Sequence, residues 1–230
     1  MFSCVCAVSH PGAFLSRTVS WLCSRTRKSS QTTAVSTADV SAPFLTSEAT
    51  GRRLYNPEEE FVELTDLLLS HLLEVGASMT RMLEFHISLS QTVVLRYHWI
   101  TPFVQSLKDL LSPYDRFYCV SDKVKIYCNQ EKTRTFLGLE VSAGDKYLLE
   151  LVHEVDKCME EYDLKTFYKS PSFHISLGWC LGDATAQLAK HQQELQDIVD
   201  KFEDSARILR VYADQVRCKT GNKIFSFPLQ

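Results

Sequence analysis

Several features that would assign this 230-residue chain to a familiar class of protein are missing. No run of about 18 apolar residues occurs, so we expect no transmembrane helix and no membrane partner. The formal net charge is −3, which excludes a strongly basic protein that binds nucleic acid over its whole surface. An anionic partner would therefore have to contact a local group of basic residues.

The eight cysteines include no Cys-x-x-Cys pair, the spacing that is typical of zinc sites and of thioredoxin-like redox motifs. Several of them fall in strand-like or helix-like patterns, where a free cysteine behaves as a small apolar residue. We therefore predict reduced thiols in an intracellular protein, with no disulfide framework and no metal site.

Acidic residues are missing from the start of the chain, where the first is Asp39. Serine and threonine are abundant there, and four basic residues precede that aspartate. This composition is typical of a mitochondrial transit peptide and also of a disordered tail. We favour the disordered tail, and an alternative first exon is a third interpretation. We predict a disordered or targeting tail over residues 1–50 and a folded domain over residues 51–230.

One five-residue stretch, FHISL, occurs twice, at Phe85–Leu89 and at Phe173–Leu177. Each copy alternates apolar and polar residues, which predicts a half-buried strand. Residues i and i+2 of a strand share a face, so the histidine and serine of each copy lie together while the apolar side chains point into a core. These polar residues are His86 and Ser88 in the first copy and His174 and Ser176 in the second.

The remaining pattern predicts helices and strands in the order helix, strand, helix, strands, repeated once. Each FHISL strand holds the equivalent place in its half. This order indicates an internal duplication of a two-layer α+β unit. The predicted helices cover 56–73 and begin again near Pro102, Gly144 and Asp183, and the other predicted strands cover 116–120, 123–127, 134–141, 206–217 and 223–227.

Two histidines beside two hydroxyls suit acid–base cleavage of a ribose phosphodiester. Near neutral pH one imidazole can take the proton of a 2′-hydroxyl while the other protonates the leaving oxygen. The hydroxyls can hydrogen-bond the phosphate oxygens, and the reaction requires no metal. A single His-x-Ser on a strand is usually a polar face in contact with solvent, but two copies in equivalent places favour a site. A serine nucleophile has less support, since neither serine lies in a Gly-x-Ser-x-Gly elbow.

Four longer stretches resemble one family of proteins. With their paired His-x-Ser motifs they resemble the 2H phosphoesterase superfamily and, within it, the Usb-type family of U6 small nuclear RNA phosphodiesterases, over about residues 57–230. The stretches are FHISLSQTVVLRYHWITPFVQSLK (85–108), KVKIYCNQEKTRTFLGLEV (123–141), FYKSPSFHISLGWC (167–180) and QVRCKTGNKIFSFPL (215–229).

The resemblance implies a duplicated, two-lobe fold in which antiparallel sheets line a central groove and helices lie outside. It implies a metal-independent and cofactor-free 3′–5′ exoribonuclease that trims the oligo-uridine 3′ tail of U6 RNA and leaves a 2′,3′-cyclic phosphate. The partner would be a single-stranded RNA 3′ end, and the protein would be a nuclear monomer. It would be mitochondrial if residues 1–50 act as a transit peptide.

The resemblance also assigns roles to residues. His86 would be the general base and His174 the general acid, with Ser88 and Ser176 on the phosphate. The remaining positions that match the family's nucleotide contacts are Gln130, Tyr168, Ser170, Pro171, Ser172 and Phe173. Basic residues flanking the predicted strands would line the groove: Lys123, Lys125, Lys132, Arg134, Arg217, Lys219 and Lys223.

One departure from the family lies before the first helix, where relatives carry a strand. Residues 50–55 are too short and too basic for that strand, so we expect an unfilled place in the sheet and lower stability or activity. This leaves two alternatives open: a catalytically silent RNA-binding or interaction module with the same fold, and a 2′,3′-cyclic phosphodiesterase that opens cyclic ends.

Overall fold

The computed structural model describes residues 2–9, 57–202 and 208–230. The remainder of the predicted tail, residues 10–50, lies outside these ranges. The strands are β1 (Phe2–Ser9), β2 (Thr80–Arg81), β3 (His86–Ser88), β4 (Val93–Leu95), β5 (Phe117–Cys128), β6 (Arg134–Ala143), β7 (His174–Leu181), β8 (Arg210–Ala213), β9 (Gln215–Thr220) and β10 (Lys223–Pro228). The α-helices are α1 (Pro57–Glu74), α2 (Ile100–Leu111), α3 (Asp145–Glu161), α4 (Thr185–Leu188) and α5 (Gln192–Asp200).

The described strands form one ten-stranded sheet in the order β10-β9-β1-β3-β7-β6-β5-β8, with β2 paired to β7 and β4 paired to β1. Neighbouring strands run antiparallel throughout. The α+β class is therefore confirmed. The prediction of separate sheets is wrong for the described strands, because β3 pairs directly with β7 through Ile87 and Ile175 and joins the two halves.

One face of the sheet packs against the helices and forms the core. Phe85, Ile87 and Leu89 of the first FHISL copy are buried there, as their alternation with polar residues predicts. The ring of Phe61 on α1 meets that of Phe85 edge to face, with 5.0 Å between centroids. Burial of these apolar faces is the main contribution to stability, and it leaves the histidine and serine of each copy on the opposite face.

Strand β1 lies between β9 and β3, in the interior of the sheet. Its alternate residues Cys4, Cys6 and Val8 are completely buried in the core. The backbone N–H of Cys6 donates to Ser90 Oγ at 2.9 Å, and its carbonyl accepts from the N–H of Leu89 at 2.8 Å. The prediction of a tail over residues 1–50 is therefore wrong for Phe2–Ser9. The expected gap in the sheet is filled by the first residues of the chain.

The buried cysteines act as small core residues. Cys4 Sγ lies 3.0 Å from Cys218 Sγ on β9, and Cys6 is directly opposite Cys218 in the pairing of the two strands. The described cysteines are free thiols.

Three predicted boundaries differ from the structure. The predicted break between two strands after Val120 is an irregularity inside the continuous β5. The helix predicted from Asp183 is divided into α4 and α5 by a 3-10 turn at Ala189–His191. The strand predicted over 206–217 divides at Asp214, because β8 pairs with β5 while β9 pairs with β1.

Among the described helices, none is both long and apolar enough to span a bilayer.

Candidate active site

The two His-x-Ser segments lie side by side on β3 and β7. Because Ile87 is directly opposite Ile175 in this antiparallel pair, the register places His86 opposite Ser176 and Ser88 opposite His174. The two histidines are therefore diagonal neighbours, a relation that separates Cα atoms by about 7–8 Å. Both imidazoles and both hydroxyls therefore lie on one face of this strand pair, where they can approach the same phosphate group.

Both histidines have lowered pKa values, and burial is the main cause for each. For His86 the neighbouring cation Lys219 and the second histidine lower the pKa further, while Glu84 opposes the shift. For His174 the hydrogen bond to Ser172 and the charge of Glu140 oppose it. The neutral form of each imidazole is favoured in the free protein, as a general base requires.

A backbone carbonyl two residues earlier orients the ring of His174. His174 Nδ1 lies 2.7 Å from the carbonyl oxygen of Ser172, so the Nδ1–H donates and Nε2 is the nitrogen left to exchange a proton. At His86 the backbone of Glu84, which is also two residues earlier, acts on the pKa in the same direction and raises it.

A network of polar side chains surrounds His174. The ring of Tyr127 stacks on the imidazole, with 3.7 Å between centroids and 16° between planes. The Tyr127 hydroxyl and Ser172 Oγ lie 3.0 Å apart, and Ser172 Oγ donates in turn to Glu140. Lys125 Nζ donates to Glu140 at 2.6 Å and to Ser172 at 3.2 Å. This network fixes the ring plane of one catalytic candidate.

The charges in this network are set by burial and by hydrogen bonds. Burial raises the pKa of Tyr127, so its phenol stays neutral. Burial would also raise the pKa of Glu140, but the hydrogen bonds from Lys125 and Ser172 lower it below its ordinary value. A carboxylate is therefore held on β6 directly opposite His174.

A glycine makes room for the stacked ring. A Cβ at Gly138 would lie 3.0 Å from Tyr127 Cε2 and 3.3 Å from His174 Cδ2, closer than nearly all real contacts.

Reasoning from the sequence missed Tyr127 and Glu140 as site residues. The available signal was alternation, since Lys123, Lys125 and Tyr127 share one face of β5, as Gly138 and Glu140 do on β6.

The segment predicted to wrap the nucleotide divides between the site and the core. Ser172 belongs to the network beside His174, whereas Phe173 is only 5% exposed and its ring stacks near Phe167 at 6.1 Å. Pro171 is half-buried and Ser170 is exposed. The structure therefore places Phe173 in the core instead of on an open surface.

The other two predicted nucleotide contacts lie on exposed loops. Gln130 occupies the turn between β5 and β6. Tyr168 follows α3 and is 47% exposed, with its ring 5.0 Å from that of Phe167. The structure does not bring Gln130 or Tyr168 into contact with the histidines. The amide of Gln130 and the ring of Tyr168 are nevertheless accessible to a ligand.

Basic residues lie along the rows of side chains that cross the site. One cross-strand row runs from Lys123 on β5 through Glu140, His174, Ser88 and Ala7 to Arg217 on β9. In the adjacent row, Lys125 lies opposite Gly138. Lys219 Nζ on β9 lies 3.7 Å from Glu84 Oε2, and Glu84 is two residues before His86. The local basic surface that the net charge does not predict is present around the site.

Comparison with known proteins identifies the family. A family model described as "HVSL: Uncharacterised conserved protein" matches residues 24–228. The chain belongs to the HVSL family. It is 59% identical over 177 residues to U6 snRNA phosphodiesterase 1 of Bos taurus, covering 76% of this chain and 67% of that one. For the protein of the same name from Homo sapiens the identity is 56% with the same coverage, and for Xenopus laevis it is 55%, with coverage of 76% and 70%.

Solved structures agree on the fold. The structure of Kluyveromyces marxianus Usb1 matches with a TM-score of 0.51 at 16% identity, covering 74% of this chain and 92% of that one. Together with the sequence relatives, this confirms the resemblance to the Usb-type family. The chain spans about two thirds of the length of the relatives named here.

Proposed function

We propose that this chain is a phosphodiesterase that processes the 3′ end of U6 snRNA. It acts as a metal-independent 3′–5′ exonuclease, trims an oligo-uridine tail and leaves a 2′,3′-cyclic phosphate. The observation that carries the proposal is the diagonal placement of His86 and His174 on paired strands, each opposite a serine of the other strand. The names of the relatives, U6 snRNA phosphodiesterase 1, support the choice of RNA.

The reaction transfers one proton at each end of the phosphate. His86 takes the proton of the 2′-hydroxyl, whose oxygen attacks the adjacent phosphorus. The bond from phosphorus to the 5′-oxygen of the terminal nucleotide breaks, and His174 protonates that oxygen. Ser88 and Ser176 donate hydrogen bonds to the non-bridging oxygens, on which charge develops in the transition state.

The surroundings of the two histidines support these roles. Burial holds the pKa of His86 low, although the anion Glu84 opposes this and the cation Lys219 adds to it, and a low pKa suits a base. Glu140, an anion opposite His174, favours the protonated form that an acid needs. Because the attacking oxygen and the phosphorus belong to the same nucleotide, the new RNA end is a five-membered cyclic phosphate.

The nucleotide contacts are proposed from the family resemblance. The exposed ring of Tyr168 offers a face for stacking on a terminal base, a contact that tolerates any base. Gln130 offers an exposed amide. Residues 170–173 contribute by their backbone and by orienting His174, since the side chains of Ser172 and Phe173 are engaged inside the protein.

The organisation of the molecule is proposed on the same basis. The catalytic domain comprises residues 51–230, completed by β1, and derives from a duplicated unit in which β3 and β7 are equivalent strands of two lobes. We expect a monomer in the nucleus. The mitochondrial alternative required residues 1–50 to act as a transit peptide, a segment that is removed, whereas β1 within that range is an interior strand of the sheet.

The proposal predicts which ribose must carry the attacking hydroxyl. An oligo-uridine RNA with 2′-deoxyribose at the penultimate position should resist removal of its last nucleotide, because the nucleophile is missing. The matched RNA with 2′-deoxyribose at the terminal position should be shortened normally, and its ends should resist phosphatase. Equal shortening of both RNAs would show that water, and not the 2′-hydroxyl, is the nucleophile.

A further inference from the structure

A second cluster of ionisable side chains lies apart from the catalytic candidates, where the end of α1 meets the turn before α5. His71 is in the last turn of α1, His191 ends the 3-10 turn, and Glu194 is in the first turn of α5. His71 Nε2 and His191 Nδ1 each lie 2.9 Å from the same carboxylate oxygen, Glu194 Oε2. Side chains from elements far apart in the sequence thus converge on one point.

We propose that His71, His191 and Glu194 bind a divalent transition-metal ion, with Zn²⁺ as the best match. Two imidazole nitrogens and one carboxylate oxygen are a known zinc ligand set with an open fourth position for water. The three ligand atoms lie within 4.8 Å of one another. Zinc bonds of about 2.0–2.2 Å in tetrahedral geometry require ligand atoms about 3.3 Å apart, so small side-chain rotations suffice.

The exposure of these side chains suits reversible binding. The exposed fractions are 26% for His71, 25% for His191 and 54% for Glu194. An ion can enter from solvent and keep a water ligand, and a usable metal site requires such an entry path. The three core thiols of Cys4, Cys6 and Cys218 also lie within 4.8 Å of one another, but they are fully buried and offer no such path.

A bound ion would link α1 to α5. The two helices are already in contact, and a ligand that binds only the folded state stabilises it by mass action. The site therefore affects stability and not the cleavage reaction, because none of its ligands lies on the strands that carry the catalytic candidates. This inference goes beyond the proposed function and is independent of it.

The test uses the full chain without a histidine tag. Zn²⁺ is titrated into metal-free protein at pH 7.5, with competition from a chromophoric chelator, for the wild type and for His71→Ala, His191→Ala and Glu194→Gln. We expect one equivalent to bind, to raise Tm, and to bind at least about tenfold more weakly in each variant, since loss of a ligand costs at least as much as loss of a residue that supports one. His153→Ala, an exposed histidine on α3, should bind as the wild type does.

Cobalt distinguishes this site from the thiols. Co²⁺ bound to nitrogen and oxygen ligands lacks the thiolate charge-transfer absorption in the near ultraviolet, and we expect that band to be absent. A strong thiolate band, or Zn²⁺ affinity unchanged in all three variants, would overturn the proposal. RNA cleavage with EDTA present should be the same for His71→Ala as for the wild type, so the test does not depend on the catalytic account.

Discussion

At the scale of single residues, the pKa values of the two histidines predict the pH dependence of cleavage. Burial lowers both from the ordinary value of 6.5, and the reaction needs one neutral and one protonated ring. We therefore expect a bell-shaped profile of kcat/KM with its maximum below pH 6.5. Steady-state rates from about pH 5 to 9 will show this, and a maximum clearly above 6.5 would contradict the burial of the pair.

The lowered pKa values of the two histidines also make the stability of the folded protein depend on pH. Below 6.5 the unfolded chain binds more protons at His86 and His174 than the folded protein does. The contribution of the two histidines to stability therefore rises with pH from their lowered pKa values up to 6.5 and is constant above it.

Tyr127 is the residue outside the motifs with the clearest predicted effect. Tyr127→Ala removes the stacked ring from His174 and should lower kcat/KM by about 10–100-fold, because a mispositioned acid reacts slowly. Loss of burial should also raise the pKa of His174 and move the alkaline limb of the pH profile upward. Tyr127→Phe keeps the stack and loses only the contact with Ser172, worth about 1 kcal/mol or about fivefold.

The control for this prediction is Tyr118→Ala on the same strand. Tyr118 is 62% exposed and stacks on Tyr212, away from His174. Strand β5 should remain folded in either variant. If Tyr118→Ala reduces kcat/KM as much as Tyr127→Ala, the effect comes from the strand and not from the stacked ring.

At the scale of secondary-structure elements, β1 decides whether the sheet is complete. Val8 is fully buried on the core face, whereas Val5 is half-buried on the opposite face and pairs with Lys219. Val8→Asp should destabilise the protein by about 3 kcal/mol or more, because a carboxylate is buried without a partner. Val5→Asp should have little effect, since the new charge faces a lysine. Urea unfolding of both variants measures the difference, and equal stabilities would mean that β1 does not occupy the interior of the sheet.

The strands that could be predicted from the sequence and those that could not differ in how clearly polar and apolar residues alternate. The FHISL strands were predicted because polar and apolar residues alternate clearly and the pattern is repeated. In β1 the residues between Cys4, Cys6 and Val8 include Val5 and Ala7, so the alternation is weak, and the composition of the residues that follow suggests a tail. Pairing with β3 and β9, which no local pattern reveals, is what orders this strand.

Only part of the candidate site could be predicted from the sequence. The four motif residues could be placed because strand periodicity fixes their common face. Tyr127 and Glu140 were missed because their contacts depend on the register of β5, β6 and β7 and on the space above Gly138. Phe173 was predicted to contact the nucleotide, but its alternation with His174 already placed it on the core face.

At the scale of the whole molecule, a net charge of −3 coexists with a basic surface around the site. RNA binding should therefore weaken with salt in proportion to the few phosphates that this basic surface neutralises. In an inactive His174→Ala background, Lys123→Gln and Lys219→Gln should each reduce the slope of log K against log salt by about 0.7. Lys201→Gln, at the end of α5, should leave the slope unchanged. A slope that does not respond to Lys123 or Lys219 would place the RNA elsewhere on the surface.

The most direct test of the account is a gel assay on 5′-labelled oligo-uridine RNA with EDTA present. Wild type and the control His98→Ala should shorten the RNA stepwise, because His98 is exposed on the turn before α2. His86→Ala and His174→Ala, shown to be folded by their unfolding curves, should be slower by about 10²–10⁴-fold. Shortening at the wild-type rate by either variant, or a wild-type rate abolished by EDTA, would contradict a reaction carried by these two histidines without a metal.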